Sequence, residues 1–289
     1  MSDYIISTSS TTDLPESYIK EHGILCLPFS FIISDEQYED NFGNSMPAPV
    51  FYNRLRNGEM SRTSLINADA FEKAFREILE SGRDILHIEF SSALSGSLQN
   101  ARTVAEKLNP LYENKIIVVD SLCASLGLGL LVDYAVRMKE EGKSIDEAAG
   151  WVEENKLHII HWFTVDDLNF LKRGGRVSGV SAFLGTMLKI KPIMDVDDQG
   201  RLIPHFKVRG RRKAITGIFE KMKEDILHPE GQRVFISHGD CLKDAEFLAG
   251  LIKDEFAIDC VLINYVGPVI GSHSGPGTLA LFYYGKQRF

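Results

Sequence analysis

Apolar positions in the first half of the chain follow two alternating spacings, one typical of buried strands and one typical of helices. Between residues 70 and 79, Phe71, Ala74, Phe75 and Ile78 recur at helical spacing and form one apolar face. Strand–helix alternation of this kind predicts a mainly parallel sheet with helices on both faces. Strands are predicted at 4–7, 24–27, 85–90 and 116–119, and helices at 70–79, 96–108 and 128–138.

Two segments of this half depart from the alternation. Asp13-Leu14-Pro15 is typical of a helix start, with Asp13 as the cap and Pro15 in the first turn. Residues 27–49 contain too few periodic apolar positions for a helix. They predict a hairpin excursion that ends in a loop.

After Gly142 the pattern mixes hairpins with helices. A turn at 197–200 separates two strands, and Gly174-Gly175 ends a helix that begins at Asp166. The predicted fold class is α/β, with an N-terminal three-layer α/β/α domain and a C-terminal α+β domain. We place the first domain at 1–150, with a hairpin insertion around 28–50, and the second at 151–289. The second half has predicted strands at 157–163, 193–196, 202–208, 234–237, 260–266 and 278–284, and helices at 145–155, 166–171, 214–226 and 242–255.

Composition narrows the classes of protein to consider. The 289 residues are 44% hydrophobic and 25% charged, as in ordinary soluble globular proteins, and the net charge is −8. An acidic chain with few basic clusters is a poor nonspecific binder of nucleic acid. Neither an apolar stretch of membrane-spanning length nor a signal peptide is found, and the four cysteines are scattered without a CxxC pair. A cytoplasmic protein is the expectation.

Metal and nucleotide motifs are either missing or fail on geometry. His158 and His161 lie three apart in a predicted strand, so their side chains point to opposite faces and cannot share one ion. The segment that begins at Asp195 imitates a calcium loop, but its twelfth position is Phe206 where a bidentate Glu is required. No P-loop, GxGxxG or HExxH motif occurs. The sequence predicts no metal and no cofactor.

Several hydroxyl side chains follow predicted strands, and parallel sheets bind their ligands beyond the carboxyl ends of strands. Ser95 follows the strand at 85–90 and precedes a helix, so it either binds an anion at the helix start or caps its own helix. Thr63-Ser64 precedes a helix that begins near Asn67 and has the same two interpretations, with capping favoured. Gly96 allows the backbone to approach a ligand closely.

The stretch from 267 to 277 holds four glycines, two prolines and His273 between two apolar strands. So many permissive residues predict a loop folded tightly around something, with His273 at its centre. A histidine in a loop is otherwise a surface residue, and the sequence leaves both interpretations open.

Several of these pieces, in this order, resemble the DegV family of fatty-acid-binding proteins. The resemblance runs over nearly the whole chain, with two departures: Thr63-Ser64 is followed by Leu65-Ile66 where the family usually has Gln-Pro, and Ser9 replaces an Asp of the first loop. The matching pieces are Thr63-Ser64, LSGS at 94–97, VDS at 119–121, LGLG at 126–129, LKRGGRVS at 171–178, KIKPI at 189–193 and the His273 loop.

The resemblance implies a carrier, not itself an enzyme, that holds one long-chain fatty acid such as palmitate in a tunnel between or within the two domains. The residues that match Thr63 and Ser95 bind the carboxylate, with His273 nearby, and Ser64, Gly96 and Arg176 adjoin them. In bacteria with a fatty acid kinase, such a carrier presents the carboxyl group to a separate ATP-binding subunit. The acyl phosphate then serves phospholipid synthesis, and transient contact with a membrane surface is compatible with this role.

Alternatives remain open at this stage. A serine hydrolase would use Ser95 as nucleophile and His273 as base, but Ser95 lacks a GxSxG elbow and no acid is assigned to His273. A nucleic-acid-binding regulator would rest only on the basic cluster at 209–213, which overall charge opposes. Arg173, Arg176 and that cluster form solvated faces, or else they dock an acidic kinase surface or steady a phosphate.

Overall fold

The computed structural model describes residues 3–177, 190–258 and 260–288. Two residues of the matching pieces lie outside these ranges: Ser178, the last residue of the piece at 171–178, and Lys189, the first residue of the piece at 189–193. The strands are β1 (Tyr4–Ser9), β2 (Leu25–Leu27), β3 (Ser30–Ile33), β4 (Glu36–Glu39), β5 (Ser61–Ser64), β6 (Asp84–Glu89), β7 (Ile116–Asp120), β8 (Ile159–Thr164), β9 (Ile190–Val196), β10 (Leu202–Arg209), β11 (Arg233–His238), β12 (Cys260–Tyr265) and β13 (Leu279–Tyr284). The helices are α1 (Glu16–Glu21), α2 (Ala48–Arg56), α3 (Ala68–Glu80), α4 (Ser97–Leu108), α5 (Leu126–Glu140), α6 (Ile145–Asn155), α7 (Leu168–Gly174), α8 (Arg211–Asp225), α9 (Leu242–Glu255) and α10 (Pro268–Ser274).

The first sheet is parallel, which confirms the prediction from the strand–helix alternation. Its order is β2-β1-β6-β7, and every neighbouring pair runs in the same direction. Helices α3 and α4 pack on one face and α5 and α6 on the other. The helical spacing in α3 buries Phe71, Phe75 and Leu79, and the Asn67 side chain caps the helix by accepting the Ala70 N–H.

The second sheet is mixed, with the order β10-β9-β8-β13-β11-β12. Only β11 and β12 pair in parallel; the other neighbours are antiparallel, including the β9–β10 hairpin that turns at 197–200. Helices α8 and α9 pack on one face and α5 on the other, so α5 lies between the two sheets. This position explains why nearly every residue of 126–136 is buried.

The excursion after β2 contains more structure than the sequence predicted. The hairpin is present as β3 and β4, but α2 follows it and β5 completes a three-stranded sheet in the order β4-β3-β5. Helix α2 was missed because its apolar face is short. Phe51, Tyr52 and Leu55 are buried, and Pro49 fits in the first turn, where a helix needs no N–H donor.

Two local predictions were wrong. Asp13 caps no helix: it follows a 3-10 turn at Ser10–Thr12 with a positive φ of 52°, and α1 begins only after Pro15. The stretch around His273 is not a continuous loop, because Pro268–Ser274 forms α10 and Gly275 ends it with a φ of 78°. Its glycines were interpreted as loop formers, whereas Gly271 lets the helix pack closely on Tyr52 and Phe51.

The division into domains at 1–150 and 151–289 stays a prediction. One apolar core runs from the first sheet through α5 to Phe163, Phe235 and Phe282 of the second sheet. Within the described ranges, no helix combines the length and apolarity that crossing a bilayer requires.

Candidate functional site

An internal cavity of about 190 Å³ lies between the second sheet and the loops at the carboxyl end of the first. Protein cores contain few voids larger than a water molecule, so a space of this size indicates a ligand site. Its position beyond the end of β6 is where parallel sheets bind ligands. The lining residues are Phe29, Thr63, Leu65, Phe90, Leu94, Ser95, Gly96, Ala124, Ser125, His161, Phe163, Leu171, Arg176, Val196, Leu202, Ser237, Val266, Val269, Ile270, His273, Ser274, Thr278, Ala280 and Phe282.

The cavity has a mainly apolar interior and a mouth that carries polar groups. The exposed lining residues gather at one end: Leu65 is 47% exposed, and Gly96 and Arg176 are also exposed. Arg176 Nε lies 3.5 Å from the Leu94 carbonyl, and a Cβ on Gly96 would lie 3.5 Å from Leu65, so these residues adjoin. The buried apolar wall includes Phe29, Phe90, Phe163, Ala280 and Phe282.

Thr63 and His273 meet at this mouth. Thr63 lies in β5, half-buried, and His273 lies in the last turn of α10. Thr63 Oγ1 and His273 Nε2 are 2.9 Å apart, and His273 Nδ1 is buried without a hydrogen-bond partner among the described residues. Burial, with a smaller contribution from the charge of Arg176, lowers the pKa of His273 to about 4. The imidazole is therefore neutral at pH 7.

We expect His273 to show no titration between about pH 5.5 and 8, where a histidine in a peptide titrates near 6.5. Because the pKa is lower in the folded chain, this group's contribution to stability is complete above the unfolded value and is lost as the pH falls through about 4. Imidazole carbon shifts in NMR spectra, assigned with a His273→Gln variant, report the titration. A midpoint near 6.5 would show that the ring is solvated and charged at mildly acidic pH.

Gly174 explains part of the arginine–glycine motif on α7. A Cβ at this position would lie 2.3 Å from His273 Nδ1, so only glycine lets α7 approach the imidazole this closely. Arg176 follows directly, and its Nη1 donates to the Gly174 carbonyl at 2.6 Å. The motif thus encloses His273 and places a guanidinium beside it.

Ser95 lies one residue before Gly96, the residue that caps α4 without a side-chain bond, and it also lines the cavity. Its hydroxyl accepts the Ser97 N–H at 3.2 Å, at the start of α4, and its side chain also lines the cavity mouth. Gly96 precedes α4 and lines the mouth as expected. Thr63 and Ser64 cap no helix, because both lie in β5. Ser64 is exposed and does not line the cavity.

Sequence reasoning missed five buried polar residues of the cavity lining: Ser125, His161, Ser237, Ser274 and Thr278. Ser125 Oγ lies 2.5 Å from Asp13 Oδ2 and 2.9 Å from Ser237 Oγ. His161 lies 2.9 Å from the Ile159 carbonyl through Nδ1 and accepts the Ala124 N–H through Nε2, and burial lowers its pKa well below the usual range. These groups are scattered along the chain, and only the fold brings them together.

The geometry gives the serine hydrolase alternative no support. In the described ranges no carboxylate approaches His273 Nδ1, and the Nε2 atom contacts Thr63 rather than Ser95. A hydrolase needs both a nucleophile–base contact and a group that orients the base. Within the same ranges, no three His, Cys, Asp or Glu side chains cluster as a metal would require.

Comparisons with known proteins agree on one family. The profile of the DegV family, whose description calls it uncharacterised, matches residues 4–286. A DegV domain-containing protein of Clostridium perfringens is 44% identical over 289 residues, covering 100% of this chain and 99% of that protein.

Among solved structures, a DegV family protein of Thermus thermophilus described as binding fatty acid has a TM-score of 0.88 at 30% identity, covering 99% of this chain and 100% of that one. DegV of Bacillus subtilis, described as a fatty acid binding protein, has a TM-score of 0.85 at 27% identity with the same coverage.

Proposed function

The chain belongs to the DegV family, and from this premise we propose that it binds one long-chain fatty acid with the tail in the cavity and the carboxylate at the Thr63–His273 mouth. The observation that carries the proposal is a mainly apolar cavity whose exposed lining, among the described residues, lies beside neutral donors and one arginine. The described fatty acid binding of similar family members supports the ligand class.

The apolar wall supplies the affinity. Burying a methylene contributes about 0.8 kcal/mol, so a chain of about 16 carbons such as palmitate offers an upper limit near 12 kcal/mol. Removing a carboxylate from water costs several kcal/mol unless hydrogen bonds replace its hydration. The head group therefore needs donors at the mouth, whereas the tail needs only a dry wall.

Thr63 and Ser95 provide such donors. A neutral His273 can donate its Nε2 hydrogen to Thr63 Oγ1, which leaves the Thr63 hydroxyl hydrogen free for a carboxylate oxygen. This arrangement requires the neutral imidazole to carry its hydrogen on Nε2. The low pKa of His273 keeps the ring neutral. Hydroxyl donors hold the head group without the full charge of an arginine clamp, which suits a ligand whose carboxyl group must react further.

Replacing Thr63 with Ala tests the head-group site. We expect fatty acid affinity to fall about ten- to a hundredfold, since a hydrogen bond to a charged group is worth about 1.5–3 kcal/mol. Ser95→Ala should act in the same direction, and Thr63→Ser, which keeps the hydroxyl, should retain most of the affinity. Isothermal titration with palmitate measures each constant.

Ser64→Ala is the matched control, because Ser64 is a neighbouring hydroxyl that does not line the cavity. Its affinity should equal that of the unaltered protein. Unchanged binding by both Thr63→Ala and Ser95→Ala would exclude the head-group role while leaving the cavity intact.

We also propose that the mouth presents the carboxyl group to the ATP-binding subunit of a fatty acid kinase. A second hollow of about 200 Å³ adjoins the mouth on the outside and shares Thr63 and His273 with it. Arg62, Arg173 and Arg176 line this hollow. Three guanidinium groups beside a bound carboxylate suit the binding of an incoming phosphoryl group, because arginine binds phosphate oxygens in a planar, two-point geometry.

Arg176→Gln is expected to slow acyl phosphate formation about tenfold or more while fatty acid affinity changes little. The measurement is ATP-dependent acyl phosphate release with the ATP-binding subunit from the same organism. Arg102→Gln, an exposed arginine on α4, is the matched control and should react at the normal rate. Normal turnover by Arg176→Gln would exclude a part for this residue in presentation.

A further inference from the structure

A crevice separate from the fatty acid cavity lies between the loop after β1, the segment from Asp40 to Pro49 and the start of α10. Its volume is about 330 Å³. Two carboxylates form its floor, and Asp13 and Asp40 are only 6% and 5% exposed. The lining residues are Ser10, Asp13, Leu14, Pro15, Glu16, Asp40, Phe42, Gly43, Met46, Pro47, Ala48, Pro49, Asn264, Tyr265, Gly267 and Pro268.

The two carboxylates converge beside Gly267. A Cβ on Gly267 would lie 2.7 Å from Asp13 Oδ1 and 3.3 and 3.4 Å from the two Asp40 oxygens. Asp13 already accepts the Gly267 N–H at 2.9 Å and the Ser125 hydroxyl. Asp40 differs: the Ser10 side chain and the Val269 N–H hydrogen-bond to its carboxyl group, but its buried Oδ2 has no hydrogen-bond partner among the described residues. A buried acceptor without a partner is unfavourable and points to a missing donor.

No positively charged side chain lines this crevice in the part of the chain that the structure describes. The described lining residues include three acids and no lysine, arginine or histidine, and Lys20, which pairs with Glu16 at 2.9 Å, lies outside the crevice. Burial raises the pKa of Asp40 to about 7, and burial together with the charge of Asp40 raises the pKa of Asp13 well above its usual range. Both shifts mean that the doubly ionised pair is unfavourable here, and that either a proton on Asp40 or a bound cation would relieve it.

The remaining walls indicate which kind of cation would fit. Leu14, Met46, Pro47 and Pro268 are apolar, and Tyr265 and Phe42 add aromatic rings. Apolar walls with a few convergent polar groups are typical of sites for organic ligands, whereas hard metal ions select oxygen-rich shells. Aromatic faces also attract organic cations.

We propose that this crevice binds a small organic ammonium ion. Its N–H groups donate to the carboxylates of Asp13 and Asp40, including Asp40 Oδ2, while its hydrocarbon part contacts the apolar walls. The site is distinct from the fatty acid mouth, and its existence does not depend on the function proposed above. A primary ammonium carries three donors, enough to reach both carboxylates at once.

Benzylammonium is the probe for the full-length protein, with benzyl alcohol as its neutral counterpart of the same shape. We expect saturable shifts of the Gly43 and Gly267 amide signals, both from residues that line the crevice, in NMR spectra with benzylammonium. Benzyl alcohol should bind at least about tenfold more weakly, because it lacks the charge-assisted hydrogen bonds. Asp40→Asn should weaken benzylammonium about tenfold or more, whereas Asp254→Asn, on the exposed side of α9, should have no effect.

The comparison of benzylammonium with benzyl alcohol needs no variant. It therefore tests the proposed ammonium site even if Asp40→Asn fails to fold. Equal binding of the alcohol and the ammonium, or no saturable shift with either, would overturn the proposal. Displacement of benzylammonium by Mg²⁺ alone at equal concentration would also overturn it, since the crevice would then be a metal site.

Discussion

Replacing Ala280 with Phe is expected to weaken fatty acid binding more than about a hundredfold while leaving the ligand-free fold intact. Ala280 lies in β13 between Phe163 of β8 and Ser237 of β11, and its small side chain faces the cavity. A phenyl ring at this position would occupy the space that we assign to the acyl tail. Excluding about four methylenes, at about 0.8 kcal/mol each, removes about 3 kcal/mol and weakens binding by more than about a hundredfold.

Displacement of a fluorescent fatty acid measures the affinity of this variant, and thermal unfolding without ligand measures its stability. Because the new ring fills empty space rather than a packed core, the ligand-free melting temperature should stay the same or rise. Ala70→Phe, the same substitution at an exposed position of α3, is the control and should bind normally. Normal binding by Ala280→Phe would mean that the tail lies elsewhere.

Replacing Gly127 with Ala should have the largest effect on stability. A Cβ at this position would lie 2.1 Å from His161 Nε2, with the neighbouring ring carbons at 2.7 and 2.8 Å. The ring cannot move aside cheaply, because Ile159 and Ala124 hold its two nitrogens and Phe282 packs on it edge to face. Overpacking and a broken buried hydrogen bond together should lower the free energy of unfolding by about 3 kcal/mol.

Chemical denaturation measures this loss, and the double variant Gly127→Ala with His161→Ala is its control. Removing the imidazole makes room for the new methyl group, so the double variant should lose less than the two single losses combined. Strictly additive losses would show that the close approach of α5 to His161 is not the reason why position 127 requires glycine.

Sequence reasoning succeeded where a local pattern has one dominant cause. The apolar stripe of α3 and the short runs at β1, β6 and β7 predicted the parallel sheet, because periodicity follows directly from burial. The capping box of α6, in which Ser144 accepts the Glu147 N–H, defines a helix start that the sequence placed at the same residue. Local patterns singled out Thr63, Ser95 and His273 separately, and family resemblance then grouped them into one predicted head-group site.

It failed where tertiary contacts decide the local structure. Glycines around 267–277 were interpreted as loop formers, but Gly271 serves close packing of α10 against Tyr52. Asp13 looked like a helix cap, yet its carboxylate turns inward to Ser125 and to the Gly267 N–H, which lie far away in sequence. Neither contact leaves a periodic signal, so neither could be predicted from one chain.

The measurement that tests the central claim most directly is mass spectrometry of the purified protein, first native and then denatured after organic extraction. We expect the native mass to exceed the chain mass by that of one long-chain fatty acid, and the extract to contain that acid. An apo mass that stays unchanged after incubation with palmitate and other long-chain fatty acids would contradict the assignment of the cavity.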